Sequence, residues 1–140
     1  MIVNRDRELA KQVHKARLLN ELTHHVGEEH AADMGDLYRR VYQREWENKI
    51  NHTRALRTLI TELRQEGTPI ASSSRRDGGG YYLVRSGSEL TDYLNRIQHR
   101  ALKILAMASR IRKIGLPELL GQMQLNLEVR DDGDRENAGK

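Results

Sequence analysis

Apolar side chains recur at helical spacing in four stretches of the chain and at strand spacing in a fifth. Leu9, Val13, Ala16, Leu19, Leu22 and Val26 follow one another in steps of three and four. That stripe predicts an amphipathic helix over 5–26, with Gly27 placed to stop it. Asp33 has the chemistry of an N-cap and opens a second helix over 33–47, burying Met34, Leu37, Tyr38, Val41 and Tyr42. Residues 48–51 read as a turn whose one apolar residue is Ile50. A third helix over 52–66 buries Leu56, Leu59, Ile60 and Leu63, and Gly67 ends it.

Thr68-Pro69 then breaks the helical pattern. Ile70 to Ser74 is short and β-compatible, and Tyr81 to Val84 has strong strand propensity. Between them stands Arg-Arg-Asp-Gly-Gly-Gly, a good hairpin turn. Glycine-rich loops also cradle phosphates, but such a loop needs a helix N-terminus directly after it to aim N–H groups at the anion. A strand follows here, so the glycines are read as a turn. Beyond it, Ser86 and Glu89 stand in capping-box register. A long helix over 87–114 carries Leu90, Leu94, Ile97, Ala101, Ile104, Ala108 and Ile111, alternating steps of four and three in a heptad seam. Gly115 and Pro117 end it, 117–127 can form one more short helix, and 130–140 has the composition of a disordered, acidic tail.

The fold class expected is therefore mainly α, with three helices, a β-hairpin and a long C-terminal helix. The expected organisation is a domain over 1–86, a helix over 87–114 and a flexible tail over 115–140. With 140 residues and no phenylalanine, the core must be built mostly from Leu, Ile, Val and Met. The absence of cysteine excludes disulfides and cysteine-ligated zinc. No apolar run approaches a membrane span and the N-terminus has no apolar leader, so no membrane is expected and a cytoplasmic location is.

Charge changes the picture more. The net balance of +4 is uneven: −1 over 1–48, +4 over 49–85, +4 over 86–113 and −3 over 114–140. A basic centre points to a polyanionic partner. The third helix carries His52, Thr53, Arg54, Arg57, Thr58, Thr61 and Arg64 away from its apolar face, with no acid before Glu62.

Helices followed by a hairpin with a basic loop is the order of a winged helix-turn-helix. The stretch RALRTLITELRQEGTPIASSSRRDGGGYYLV resembles the end of such a domain of the biotin-repressor type. In that family an arginine-bearing recognition helix closes on a pattern like L-R-x-x-G-x-P-I, and the wing ends in G-Y-x-L. Leu63, Arg64, Gly67, Pro69 and Ile70, then Gly80, Tyr81 and Leu83, occupy those positions. The likeness covers about residues 50–84, and a wing followed by a long Arg- and Leu-rich helix also resembles small bacteriophage and prophage regulators.

The resemblance implies binding to double-stranded DNA. His52, Thr53, Arg54, Arg57, Thr58 and Thr61 would enter the major groove, where arginine reads guanine O6 and N7 and threonine meets phosphate or the thymine methyl. Ser74, Arg75 and Arg76 of the wing would lie on the backbone or in the minor groove. The heptad helix either packs on its own domain or pairs with a second copy; a homodimer fits readers of paired half-sites. The expected function is a dimeric transcriptional regulator. The alternative is a protein-interaction module whose winged helix docks on a replication or virion component without binding DNA.

HHVGEEH, residues 24–30, matches neither H-E-x-x-H nor H-x-x-E-H, and Gly27 interrupts any helix that would fix its spacing. No metal, no cofactor and no catalytic grouping is expected, and the chain is not read as an enzyme.

Overall fold

A helix forms over Arg54–Gln65 because Leu56, Leu59, Ile60 and Leu63 bring one face to the core, where each is essentially inaccessible to solvent. In the computed structural model, which describes residues 2–45, 47–75 and 79–124, this helix is α4. It is preceded by α1 (Ile2–Leu22), α2 (Met34–Tyr42) and α3 (Lys49–His52), and followed by β1 (Ile70–Ser73), β2 (Gly80–Leu83) and α5 (Ser88–Arg112). The protein is mainly helical with a small antiparallel sheet of two strands, as the sequence leads one to expect. The chain divides into two units, Met1–Tyr93 and Leu94–Lys140. The first therefore takes in the opening turns of α5, beyond the boundary at 86 drawn from the sequence.

In the first unit, Leu18 and Leu22 of α1 join Leu37, Tyr38 and Val41 of α2, the apolar face of α4, and Ile70. Asp33 caps α2, its carboxylate accepting from the N–H groups of Gly35 (2.9 Å) and Asp36 (3.4 Å). The helix ends earlier than the pattern implies, at Gln43, whose left-handed backbone terminates it.

Leu19 and Leu22 of the expected stripe pack in the core, but the rest of the buried face of α1 differs from it. Leu18 is fully buried, while Leu9 and Val13 are 59% and 48% exposed. The buried side runs through Lys15, Leu18 and Leu22: both leucines enter the core, and Lys15 lays its aliphatic stem beside them with its ammonium on Glu62 and Glu66. The helix also stops at Leu22, so Val26 lies outside it. Instead, Val26 and Ala32 bridge to Leu83 and Tyr81 of the hairpin. The Gly27 N–H donates to the Leu83 carbonyl at 2.8 Å, and Ala32 and Tyr81 exchange backbone bonds of 2.8 and 2.9 Å. The segment between α1 and α2, with a 3₁₀ turn at Glu28–His30, thereby covers the outer edge of β2.

The hairpin pairs Ile70 with Leu83, Ala71 with Tyr82, Ser72 with Tyr81 and Ser73 with Gly80. A second apolar cluster, Ala71, Tyr82 and Val84 with Leu90 and Tyr93, seats the start of α5. Gly80 is required where it stands: φ is +144°, and a Cβ there would lie 1.8 Å from the Ala32 carbonyl oxygen. Glu89 accepts from the backbone N–H of Arg85 (2.9 Å), one residue before the Ser86 that the capping-box register names.

In the second unit, α5 ends on Lys113 in the left-handed conformation, and the Ile114 N–H returns to the Ser109 carbonyl at 3.0 Å. Residues 116–124 form a further helical segment with Leu119 buried. The rest of the helix expected over 117–127, and the acidic segment 130–140, lie outside the described residues.

Candidate nucleic-acid interface

At 3.6 residues per turn, Arg54, Arg57, Thr58 and Thr61 fall on the side of α4 away from its buried leucines. Arg54, Thr58 and Thr61 are exposed and Arg57 is half-buried. The hydroxyls of Thr58 and Thr61 donate to the carbonyls of Arg54 (3.1 Å) and Arg57 (3.0 Å), which restrains both side chains along the helix. The first acid of the helix, Glu62, is neutralised from α1 by ion pairs with Lys11 and Lys15. The Lys11 hydrogen bond holds that carboxyl below its ordinary range, against the opposing effect of burial. The first turns of α4 thus present cations and hydroxyls without an uncompensated acid.

Three residues expected on this strip belong elsewhere. Thr53 is 0% exposed and cannot meet a ligand from where it stands. The reason lies just upstream: Lys49–His52 is a helical turn rather than the expected open turn, and it carries residue 53 inward before α4 begins. His52 is half-buried, and its Nδ1 accepts from the backbone N–H groups of Glu47 (2.9 Å) and Asn48 (3.1 Å) while its ring stacks 6.4 Å from Tyr38. Arg64 turns towards the hairpin: Nε donates to the Ile70 carbonyl at 2.6 Å, and the guanidinium lies over the Tyr81 ring at 5.9 Å. The same carbonyl accepts from the Tyr93 hydroxyl at 3.0 Å, so α4, β1 and α5 meet at one oxygen.

In the hairpin loop, Ser74 and Arg75 are exposed, and Arg76 lies outside the described residues. Arg75 is not wholly free. Its Nε is 3.4 Å from the Glu28 carboxylate, which also accepts from the Ser73 hydroxyl at 3.2 Å. At the other end of the hairpin, Arg85 pairs with Glu29, which lowers that carboxyl's pKa. No spacing rule joins Glu28 to Arg75 or Glu29 to Arg85, because the pairs come from remote parts of the chain. The one hint available was two adjacent acids placed before a basic hairpin.

Among the histidines of 24–30, His25 is held by the Glu21 carboxylate (3.2 Å) and the His30 carbonyl (2.9 Å). Among the described residues, no group of three or more His, Asp or Glu side chains is gathered as a metal site. No described helix is long and apolar enough to cross a membrane.

The seam expected on the long helix divides between the two units. Leu90 packs on the hairpin cluster and belongs to the first unit's core. In the second unit Leu94, Ile97, Ala101, Ile104 and Ile111 are exposed, Ile104 by 56% and Ile111 by 74%, while Ala108 is half-buried. Leu102 and Met107 are exposed as well, so the apolar surface is wider than a two-stranded seam. No family model matches the chain, and no curated protein or solved structure is significantly similar to it.

Proposed function

We propose that the chain is a winged helix-turn-helix protein that binds duplex DNA as a homodimer and regulates transcription. The observation that carries this reading is the strip of Arg54, Arg57, Thr58 and Thr61 on the open side of α4, next to a hairpin whose loop presents Ser74 and Arg75. Arginine and threonine on an exposed helix suit guanine edges and phosphates in the major groove. A cationic loop beside it suits the flanking backbone or the minor groove. The segment 25–32, bridged to β2, adds the partial third strand that braces such a wing.

The open aliphatic face of α5 supports the dimer, since a contiguous apolar surface of this kind is normally covered by protein. Two copies paired there would carry two reading heads, as palindromic half-sites require. The competing reading is a protein-interaction module whose winged helix docks on a replication or virion component without binding DNA.

Binding to random duplex DNA over a range of salt concentrations separates the two. A DNA reader loses affinity steeply as salt rises; an adaptor binds negligibly at every salt. On a site selected from a random pool, Arg57→Ala should cost about 1–3 kcal/mol and relax preference at one position. Unchanged binding by that variant would remove α4 from the interface.

A further inference from the structure

An open groove of about 350 Å³ runs between α1 and α4, lined by Arg7, Ala10, Lys11, His14, Tyr42, Ala55, Thr58 and Leu59. Its size is at the lower end of the range for small-molecule sites, enough for a body of one or two rings. The walls are mainly apolar: Ala10 and Ala55 leave the space, buried Leu59 lines it, and the rings of His14 and Tyr42, tilted against one another with centroids 4.4 Å apart, complete the lining.

Charge at the groove is one-sided. Burial, with Arg17 and Arg44 nearby, lowers the His14 pKa, so the imidazole is neutral at physiological pH. Burial and the neighbouring Tyr38 push the Tyr42 phenol up to about 12, against the pull of Arg44, so it is neutral too. Lys11 is paired with Glu62. That leaves Arg7, which pairs with no described acid, as the uncompensated charge on the rim. An apolar wall beside one cation selects an anion with an apolar body. The seam of a second copy is a poor occupant, because Arg96, Arg100, Lys103, Arg110 and Arg112 flank it and would meet Arg7 and Lys11.

We infer that this groove is an effector site for a small aromatic carboxylate, its ring against Tyr42 and His14 and its carboxylate on Arg7. Thr58 lines the groove and also belongs to the strip proposed to face DNA. On that reading of α4, an occupant changes DNA affinity directly. Ligand binding itself does not depend on it.

The test is a titration of the full chain with 2-naphthoate and with uncharged 2-naphthamide, followed by backbone amide NMR shifts without DNA. Naphthoate should give saturable shifts centred on Ala10, Ala55 and Thr58, and naphthamide should bind at least tenfold more weakly. Ala55→Leu, at an exposed helical position that tolerates leucine, should fill the groove and weaken naphthoate at least tenfold with the thermal midpoint unchanged. Arg7→Gln should bind acid and amide alike. No saturation at millimolar ligand, equal affinity for the amide, or shifts that survive Ala55→Leu would each overturn the site. Should naphthoate bind there while the affinity for a selected DNA site stays within twofold, the effector role is overturned and the site stands. Should the chain bind no DNA at all, the proposed function fails and the titration still decides the groove.

Discussion

Replacing leucine by alanine at positions 9 and 18 of α1 separates two assignments of that helix's buried face. Leu18 is 0% exposed and packed in the main cluster with Leu22, Leu37 and Val41; Leu9 is 59% exposed. A buried Leu→Ala change loses the transfer energy of three carbons and leaves a cavity, and such changes cost about 2–5 kcal/mol. For Leu18, closed in on every side, about 3 kcal/mol is expected. For Leu9 little apolar area is lost and alanine is the better helix former, so the change should stay within about 0.5 kcal/mol. In a unit of this size each kcal/mol moves the thermal midpoint by about 4–8 °C, so Leu18→Ala should melt roughly 12–24 °C lower. Circular dichroism followed through heat and urea measures both, with an unchanged urea slope showing that the denatured state is the same. The pair should be compared again at tenfold lower protein concentration, because a dimer's apparent stability follows concentration. Equal costs at 9 and 18, or a larger one at 9, would refute the face assigned to α1.

Two further outcomes follow from the charged loop and the open seam. Glu28→Gln removes the carboxylate that competes for Arg75, so affinity for random duplex DNA should rise and its salt slope steepen by up to about 0.9; an unaltered slope would mean that Arg75 does not touch phosphate. Ile97→Asp puts a charge on the exposed apolar face of α5, outside the first unit's core. Sedimentation should give a folded monomer that binds a single half-site normally and a paired site far more weakly, whereas a wild-type chain already monomeric at high concentration would refute the homodimer.

Local rules carried the reading of the sequence a long way. Asp33 before Met34, the leucines of α4 and the Pro-Ile to Tyr-Leu hairpin each declare themselves within a dozen residues, and each stands where those rules put it. What escaped was decided by distant partners. Spacing alone fits two faces of α1 equally, since Leu9 and Val13 recur as regularly as Lys15, Leu18 and Leu22. The core surface formed by Leu37, Val41 and the α4 leucines decides between them by receiving Leu18 and Leu22, and Glu62 and Glu66 accommodate the Lys15 beside them. Thr53 lies off the expected strip because a helical turn at Lys49–His52 precedes it, with the His52 side chain folded back on the amides before it. The bridges from Val26 and Ala32 to the hairpin leave no periodic trace, because single residues in a loop make them.

The Ile70 carbonyl, with Arg64 and Tyr93 both donating to it, has a consequence for genetics. On the proposed DNA-binding function, a screen for variants that no longer bind DNA should recover Arg64 as readily as Arg57, and the familiar inference would place both against bases. Only the pattern over many operators tells them apart. A lost reader shifts preference at one base pair, whereas a lost strut lowers every sequence together and melts at a lower temperature. Tyr93→Phe should share the second phenotype from the far side of the same oxygen, although it carries no charge for DNA to meet. Alleles at 64 and 93 should therefore fall into one class, apart from those at 54 and 57.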